Sequence, residues 1–345
     1  MRLLMFGGLL LFAAFARGAT PPNLAAAPLP AAPLAAAPAA AAFDVERTEW
    51  RDPARGRNVP VKLVVPRAPG PHPVILFSHG LGATRDAYAY LGEAWARAGY
   101  VTVYLQHAGS EAAIFQKGVS RQQAMLAAVA DWSVAEARPR DVRFALDHLS
   151  AEARAGTPLG RAVDLAHVGV AGHSFGAWTS LVLAGQRIAA GYADGPLYPV
   201  DAYADPRVRA ALAMSPPVRR HHDGAPTYDD IYGSIAVPLM VMSGTRDLSP
   251  VGDQRPEERR IPFDHARAHE GELVTFRDGD HWIYSGRGFH KRMLDTDLRF
   301  QSVIAEASTR FWDAYLRGDR RARAWLRGGG LKERLGFLGW LDVKR

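Results

Sequence analysis

The sequence predicts an α/β fold with a mostly parallel central sheet and helices on both faces. From about Phe43 onward, short and nearly continuous apolar runs alternate with amphipathic segments. Such runs are typical of parallel strands that are buried on both faces, and the segments between them are typical of the covering helices. The chain has 345 residues, 48% of them hydrophobic, which is enough for a sizeable core.

The predicted elements follow one another in a regular order. Strands are predicted at VKLVV, PVILFSHG (ending at Gly80), VTVYLQH, HVGVAG, VRAALAMS, PLMVMSG and ELVTF. Helices are predicted at RDAYAYLGEAWARAGY, GAWTSLVLAGQRI and RDVRFALDHLSAEAR, the last with Val142, Leu146 and Leu149 on one side. The last strong helix extends from about Phe300 to Leu316. Its apolar residues recur at helical spacing: Phe300, Val303, Ile304, Ala307, Phe311, Trp312, Tyr315 and Leu316.

Positive charge is concentrated at the end of the chain. Lys and Arg exceed Asp and Glu by 42 to 35, and +5 of the net +7 lies between Asp319 and Arg345. The nearly neutral body argues against a nucleic-acid-binding groove.

The chain contains no cysteine, which excludes disulfides, thiolate metal sites and a cysteine nucleophile.

The first residues are typical of an export signal. Arg2 supplies a positive start, residues 3–15 are apolar, and cleavage after Ala16 or Ala19 fits the small-residue rule. We therefore expect a signal peptide at 1–19 and an exported protein, periplasmic or secreted; an uncleaved N-terminal anchor is the alternative. Residues 20–43 are rich in Ala and Pro and are predicted to form a semi-extended linker. The catalytic domain is then assigned to 44–318 and a basic tail to 319–345.

Ser174 is the candidate nucleophile. In HVGVAGHSFGAW it follows an apolar strand and opens a helix, and it stands between Gly172 and Gly176. This strand–turn–helix context is the one that a nucleophile elbow requires. The alternative is a Gly-Ser-Gly turn that only caps a helix.

His281 is the candidate base, because a serine hydroxyl needs a neighbouring group to take its proton. It lies five residues beyond the predicted strand that ends at Phe276. Ligand sites in parallel sheets form beyond the carboxyl ends of the strands. His221 and His222 fall in a polar loop, and His265 and His269 in a charged segment, so none of these occupies such a position.

Asp247 is the candidate carboxylate that orients the imidazole and balances its charge. It directly follows the strand in PLMVMSGTRDLSP. Asp280 adjoins His281 and is interpreted as a turn residue, while Asp253 and Asp264 do not directly follow an apolar strand. The resulting chain order of Ser, Asp and His is characteristic of α/β-hydrolases.

An oxyanion hole completes the predicted site. The backbone N–H of Phe175, the residue after the candidate nucleophile, is one expected donor. The other is the N–H of Leu81 in the loop SHGLGATRD, where Gly80 and Gly82 allow a close approach of the backbone to substrate. His79 is interpreted as a residue that orders this loop.

These stretches together resemble the α/β-hydrolase superfamily. The segments FSHGLGATRDAYAYLGEAWARAGYVTVYLQHAGS, GVAGHSFGAW, SGTRDLSP and GDHWIYSG are similar to bacterial dienelactone-hydrolase-like proteins and to the platelet-activating-factor acetylhydrolase group, over roughly residues 50–317. The resemblance implies the α/β-hydrolase fold, a serine triad and ester hydrolysis. True dienelactone hydrolases use a cysteine nucleophile, so the absence of cysteine favours carboxylester over lactone hydrolysis.

The sequence therefore predicts an exported serine carboxylester hydrolase that acts on short-chain acyl or lipid esters. It implies no metal and no organic cofactor, and a small-molecule or lipid ester is the only partner it indicates. Two alternatives stay open: a non-catalytic binding protein on the same fold, and an acyltransferase with the same triad. Natural substrate, acyl chain length and oligomeric state are not determined.

Two insertions and the tail are open to more than one interpretation. The insertion after VTVYLQH is predicted to place Met125, Leu126, Val129 and Trp132 on one helical face. Together with the insertion after ALAMS, it is expected either to line an acyl pocket or to pack on the core. The tail, with Leu331, Leu335 and Leu338 on one side, is expected to dock on its own domain, and contact with an anionic membrane surface is the alternative.

Overall fold

The computed structural model describes residues 42–115, 117–189, 198, 202–219, 225–285 and 295–344. The predicted signal peptide, nearly all of the predicted linker, and His221 and His222 lie outside these ranges.

A single mixed sheet organises the described part of the chain. Nine strands pair in the order β1-β2-β4-β3-β5-β6-β7-β8-β9, and the six from β4 to β8 are mutually parallel. The antiparallel pairs lie at the two edges. The predicted mostly parallel sheet is thus confirmed. The strands are β1 (Phe43–Asp52), β2 (Arg57–Pro66), β3 (His72–Ser78), β4 (Val101–Leu105), β5 (Val163–His173), β6 (Val208–Met214), β7 (Leu239–Arg246), β8 (Gly271–Asp280) and β9 (Gly339–Lys344).

Helices cover both faces of this sheet, as predicted. The helices of the described ranges are α1 (Ala89–Arg97), α2 (Arg121–Ala130), α3 (Trp132–Ala155), α4 (Pro158–Ala162), α5 (Phe175–Leu183), α6 (Tyr228–Tyr232), α7 (Ile261–His265), α8 (Asp295–Leu316), α9 (Arg320–Arg327) and α10 (Gly330–Leu335). None of them is both long and apolar enough to cross a membrane.

Each face has its own hydrophobic core. On one face, α1, α8, α9 and α10 bury large side chains such as Trp95 and Trp312, which meet edge to face at 5.9 Å. On the other face, α3 and α5 pack on the same strands through residues such as Leu146 and Leu181. Each large apolar side chain buried in this way contributes about 1.5–3 kcal/mol relative to exposure.

β1, α2 and α3 are among the elements that differ from the sequence-based expectation. β1 was not predicted as a strand, because the alternating polar residues of FDVERTEWRD conceal an edge strand with one solvated face. α3 begins at Trp132 and contains Pro139, whereas the helix was expected only from about residue 140. The face predicted for α2 is wrong in two respects: Leu126 is exposed, and Trp132 belongs to α3. The buried residues of α2 are Ala124, Met125 and Ala128, a less apolar set that helical spacing of large side chains does not reveal.

Residues 319–344 fold onto the domain. α9 and α10 bury Ala322, Leu326, Leu331 and Leu335 in the core beside α8. β9 then pairs antiparallel with β8 and forms the edge of the sheet. The basic segment therefore contributes both core residues and a strand.

A buried carboxyl group lies beneath this C-terminal segment. Glu272 of β8 is fully buried, and Tyr315 of α8 donates a hydrogen bond of 2.8 Å to its Oε1. Burial raises the pKa of Glu272 from its ordinary value of 4.5 to about 7, against the opposing effect of the Tyr315 hydrogen bond and of the nearby Arg327. The folded protein therefore holds this proton more tightly than the unfolded chain does.

We expect Glu272→Gln to stabilise the fold at high pH. The stability contributed by the protonated carboxyl is present below about pH 4.5 and is lost as the pH rises to about 7. A neutral amide of the same shape avoids this loss, so the variant should gain up to about 3 kcal/mol at pH 8 and almost nothing at pH 4. Urea unfolding at both pH values measures the difference.

The exposed Glu46 provides the matched control. Glu46→Gln should change the free energy of unfolding little at either pH. A Glu272→Gln variant that is no more stable than the parent at pH 8 would contradict the assignment of a buried, proton-retaining carboxyl.

Candidate active site

The candidate site lies where the carboxyl ends of adjacent strands meet. Ser174 follows β5, Ser215 follows β6, Asp247 follows β7 and His281 follows β8, and these four strands are consecutive neighbours in the sheet. The oxyanion loop, defined here as residues 79–83, follows β3 on the other side of β5. Residues separated by more than a hundred positions therefore lie together at the carboxyl ends of the strands.

Ser174 occupies a strained turn between β5 and α5. Its backbone has φ 54° and ψ −119°, a conformation that L residues rarely adopt. The Ser174 N–H donates to the carbonyl of Met214 at 2.8 Å, which ties the turn to the neighbouring strand. Ser174 is partly exposed, whereas His173 and Phe175 on either side are buried. This is the local geometry of a nucleophile elbow.

The two glycines of the elbow are required by close backbone approaches. A Cβ at Gly172 would lie 2.2 Å from the carbonyl oxygen of Gly176. A Cβ at Gly176 would lie 1.8 Å from the carbonyl oxygen of Ser78, at the end of β3. The spacing of the glycines therefore reflects packing of the turn against itself and against the strand that leads into the oxyanion loop.

Asp247 and His281 form a buried pair. Nδ1 of His281 lies 2.8 Å from Oδ1 of Asp247, with side-chain exposures of 4% and 0%. Because the carboxylate can only accept, Nδ1 carries the proton and Nε2 keeps its lone pair. The His281 ring lies 4.7 Å from the ring of His173, the residue next to Ser174. The imidazole is thus held beside the elbow in the tautomer that a general base needs.

Two residues that the sequence did not reveal surround Asp247. The hydroxyl of Ser215 donates to Oδ2 of Asp247, and Ser215 itself has a positive φ of 50°. The guanidinium of Arg259 is buried, with Nε 3.0 Å from Oδ1 of Asp247 and Nη2 3.3 Å from Nδ1 of His281. Arg259 Nη1 also donates to the carbonyl of Ser215 at 2.9 Å. Arg259 therefore spans both carboxylate and imidazole.

The surroundings set the charge of the pair. Burial alone would raise the pKa of Asp247, but His281, Arg259 and the Ser215 hydroxyl outweigh burial and hold the pKa below its ordinary value. Burial lowers the pKa of His281 more than Asp247 raises it, and Arg259 lowers that pKa further. At neutral pH the pair is therefore a carboxylate next to a neutral imidazole, as proton abstraction requires.

The other candidates serve local structure. The Trp282 N–H donates to Oδ1 of Asp280 at 2.9 Å, which is the turn role predicted for this aspartate. Asp264 pairs with Arg260 at 2.8 Å on the surface, and His265 pairs with Asp229 at 2.7 Å. Within the described ranges, no group of three or more His, Asp or Glu side chains is arranged to hold a metal ion.

The oxyanion loop lies against the elbow. Leu81 and Phe175, the residues whose N–H groups are the predicted donors, share one apolar cluster. The Phe175 N–H is at the first turn of α5, where N–H groups have no partner within the helix. The N–H groups on either side of Leu81 are fixed, that of Gly80 by the Tyr88 hydroxyl at 3.3 Å and that of Gly82 by the Ser110 carbonyl at 2.8 Å.

His79 orders the oxyanion loop, as predicted. Its Nε2 accepts from the backbone N–H of His107 at 3.1 Å, so Nδ1 carries the proton and donates to the Gly80 carbonyl at 2.7 Å. Burial, together with the positive charge of Arg138, lowers the pKa of His79 well below its ordinary value. The imidazole is neutral and fully buried, which leaves it no contact with substrate.

A second Ser–His–Asp trio lies behind the loop. Nε2 of His107 is 3.0 Å from the hydroxyl of Ser78, and Nδ1 is 2.9 Å from Oδ2 of Asp141. All three side chains are buried, and Arg55 and Arg57 face Asp141 at 2.8 and 3.3 Å. The trio has the connectivity of a triad but is closed to substrate, so it links the ends of β3 and β4 to α3.

Comparison with known proteins agrees with this architecture. Residues 51–135 match the sequence model of the family described as platelet-activating factor acetylhydrolase, isoform II. The fold is that of an α/β-hydrolase, and the matched segment is similar to the platelet-activating-factor acetylhydrolase family. No curated protein matches the chain significantly.

The match confirms the predicted resemblance to the acetylhydrolase group and supports a hydrolase that acts on esters. The similarity to dienelactone-hydrolase-like proteins stays a prediction. The matched quarter of this α/β-hydrolase contains the first strands of the sheet and the oxyanion loop. Ser174, Asp247 and His281 lie beyond residue 135, so their assignment depends on the geometry described above.

We expect Arg259→Met to move the acid limb of ester hydrolysis to higher pH. Arg259 lowers the pKa of His281, so its removal should raise the pH at which the imidazole becomes neutral and active. The pH profile of kcat/KM for a p-nitrophenyl ester measures the limb.

Arg260→Met is the matched control, because Arg260 is the next residue but pairs with Asp264 at the surface. Its profile should coincide with that of the parent. An acid limb that is unchanged or moved to lower pH in Arg259→Met would contradict the role of this guanidinium.

Proposed function

We propose that this α/β-hydrolase is an exported serine carboxylester hydrolase that acts through Ser174, His281 and Asp247. The single observation that carries the proposal is the buried Asp247–His281 pair at 2.8 Å beside the strained Ser174 turn. Unlike the buried Ser78–His107–Asp141 trio, this pair lies beside a serine that is partly exposed on a strained turn. Ser174, Asp247 and His281 follow β5, β7 and β8, three of four consecutive strands of the sheet.

Acylation begins with proton transfer. Nε2 of His281 takes the proton of the Ser174 hydroxyl while Oγ attacks the ester carbonyl carbon. The N–H groups of Leu81 and Phe175 donate hydrogen bonds to the carbonyl oxygen and stabilise the negative charge that develops on it. Nε2 then returns the proton to the leaving alkoxide, the C–O bond breaks, and an alcohol and an acyl-Ser174 remain. Asp247 balances the imidazolium throughout.

Deacylation repeats these steps with water. His281 takes a proton from water, the hydroxide attacks the acyl carbon, and the Ser174 oxygen leaves with the proton that His281 returns. The products are a carboxylic acid and the regenerated serine. An alcohol in place of water would give acyl transfer through the same residues.

Short acyl groups are the proposed substrates. The matched family is described as an acetylhydrolase. In this chain, the side chains of Leu81 and Phe175 lie in a cluster with Trp132 and Trp178, which places bulky rings next to the oxyanion hole. This arrangement supports a small, apolar acyl site. A lipid ester with a short acyl chain fits the same description.

We expect Ser174→Ala to abolish ester hydrolysis and covalent labelling. Removal of a nucleophilic serine typically lowers kcat by about 10⁴-fold or more. A fluorophosphonate probe should label the parent on Ser174 and leave the variant unlabelled.

The preference for short acyl groups is tested on the parent protein. It should hydrolyse p-nitrophenyl acetate at least tenfold faster than p-nitrophenyl palmitate.

Ser150→Ala is the control, because the Ser150 hydroxyl donates to the Leu146 carbonyl within its own helix, α3. It should behave like the parent. A parent protein that is neither labelled nor active on any ester would support a binding protein instead, and near-normal activity in Ser174→Ala would exclude this mechanism.

Export is the second part of the proposal. The charged start, the apolar residues 3–15 and the small residues at 14, 16 and 19 support cleavage by a signal peptidase. Protein recovered from the periplasm or medium of a bacterial host should begin at residue 17 or 20, as mass spectrometry of the N-terminus would show. Full-length protein confined to the cytoplasm would contradict export.

A further inference from the structure

One buried arginine contacts both segments that carry the proposed oxyanion donors. Arg138 of α3 has no solvent exposure. Its guanidinium donates to the carbonyl of His79 through Nη2, to the hydroxyl of Ser110 at 2.6 Å through Nη1 and to the hydroxyl of Thr179 at 3.0 Å through Nε. The same group lies 4.5 Å from the centre of the Phe175 ring.

Two of these contacts restrain the oxyanion loop. His79 precedes Leu81 by two residues, so the bond to its carbonyl fixes the loop on the N-terminal side of Leu81. Ser110 accepts the N–H of Gly82 with its carbonyl at 2.8 Å while its hydroxyl accepts from Arg138. Arg138 therefore acts on both sides of the Leu81 N–H.

The other two contacts restrain the start of α5. The hydroxyl of Thr179 donates to the carbonyl of Phe175 at 3.0 Å and accepts from Arg138. The guanidinium also packs on the Phe175 ring, and such cation–π contacts strengthen when they are removed from water. The second donor-bearing residue is thus held through both its backbone and its side chain.

We infer that Arg138 is the positioning residue of the oxyanion hole. This inference depends on the proposed function. The two donors follow different strands, β3 and β5, and an oxyanion hole requires both N–H groups to reach one oxygen at about 2.7–3.1 Å. Arg138 fixes their relative position by bonding to both segments at once. Because it is fully buried, it touches no substrate and acts only through the residues it holds.

Arginine is suited to this role for a geometric reason. Its planar guanidinium presents five donors in a rigid fork, whereas lysine presents one compact ammonium group. The three acceptors of Arg138 lie on three separate segments of the chain. A lysine can retain the charge but not all three directions.

The test compares Arg138→Lys and Arg138→Met with Arg143→Met. Arg143 lies on the same helix, and its partly exposed side chain donates to the carbonyl of Ala202 at 2.9 Å. With p-nitrophenyl acetate, we expect kcat to fall about 10²-fold or more in both Arg138 variants while KM changes less than threefold, since the donors act on the transition state. Arg143→Met should stay within twofold of the parent.

Hydrogen exchange supplies a readout that does not need turnover. In the Arg138 variants, amides at residues 80–83 and 175–177 should exchange faster than in the parent, while the core strands keep their protection. Arg138→Lys keeps the charge in place and guards against a failure of Arg138→Met to fold.

The outcomes separate the two claims. The inference is overturned if the Arg138 variants keep both the kcat and the hydrogen exchange of the parent at the two segments. It is also overturned if hydrogen exchange rises uniformly and kcat and KM change together, because that result indicates a purely structural role. If the parent is inactive and unlabelled by fluorophosphonate, the proposed function fails. Faster exchange confined to the two segments in Arg138→Lys would then still show that Arg138 positions them.

Discussion

The buried hydrogen bond between Asp247 and His281 is the interaction on which the site depends. A carboxylate with no exposure is costly unless it is paired and hydrogen-bonded. Here His281, Arg259 and Ser215 all contact it, so the charge is retained inside the protein. Since the carboxylate is retained, the tautomer of His281 is defined, and a neutral nitrogen is left for the serine. The proposed role of Ser174 as nucleophile depends on this arrangement.

The chain contains two sets of Ser, His and Asp side chains, and they differ in exposure and in backbone conformation. His107 bonds both Ser78 and Asp141, while His281 bonds Asp247 and lies beside the turn that carries Ser174. Ser78 lies within β3 and is buried, while Ser174 lies on a strained turn and is partly exposed. Backbone conformation and exposure therefore distinguish the closed, structural trio from the candidate catalytic one.

Two buried arginines, Arg138 and Arg259, lie near the carboxyl ends of the same strands. Arg138 connects the oxyanion loop to α5, and Arg259 connects the ends of β6 and β7 to His281. Both replace water as hydrogen-bond donors to carbonyl groups at strand ends, where the ladder of the sheet has stopped. Loops held in this way keep a fixed geometry through hydrogen bonds at the ends of the strands.

Sequence alone determined the fold class and the candidate residues for a physical reason: hydrophobic periodicity and turn residues are local signals. The alternation of apolar runs with helical segments, the glycines around Ser174, and the placement of Asp247 and His281 after strands are all readable in one dimension. The structure decided which distant groups meet. Ser215 lies at the end of a predicted strand but gives no signal of its own, and Arg259 lies in a charged segment with no periodicity. Arg138 precedes Pro139, outside the helix that the sequence predicts from about residue 140. Their roles arise only when strands and helices that are far apart in the chain pack together. The burial and the hydrogen-bond partners of a residue are set by the folded structure and not by its neighbours in sequence.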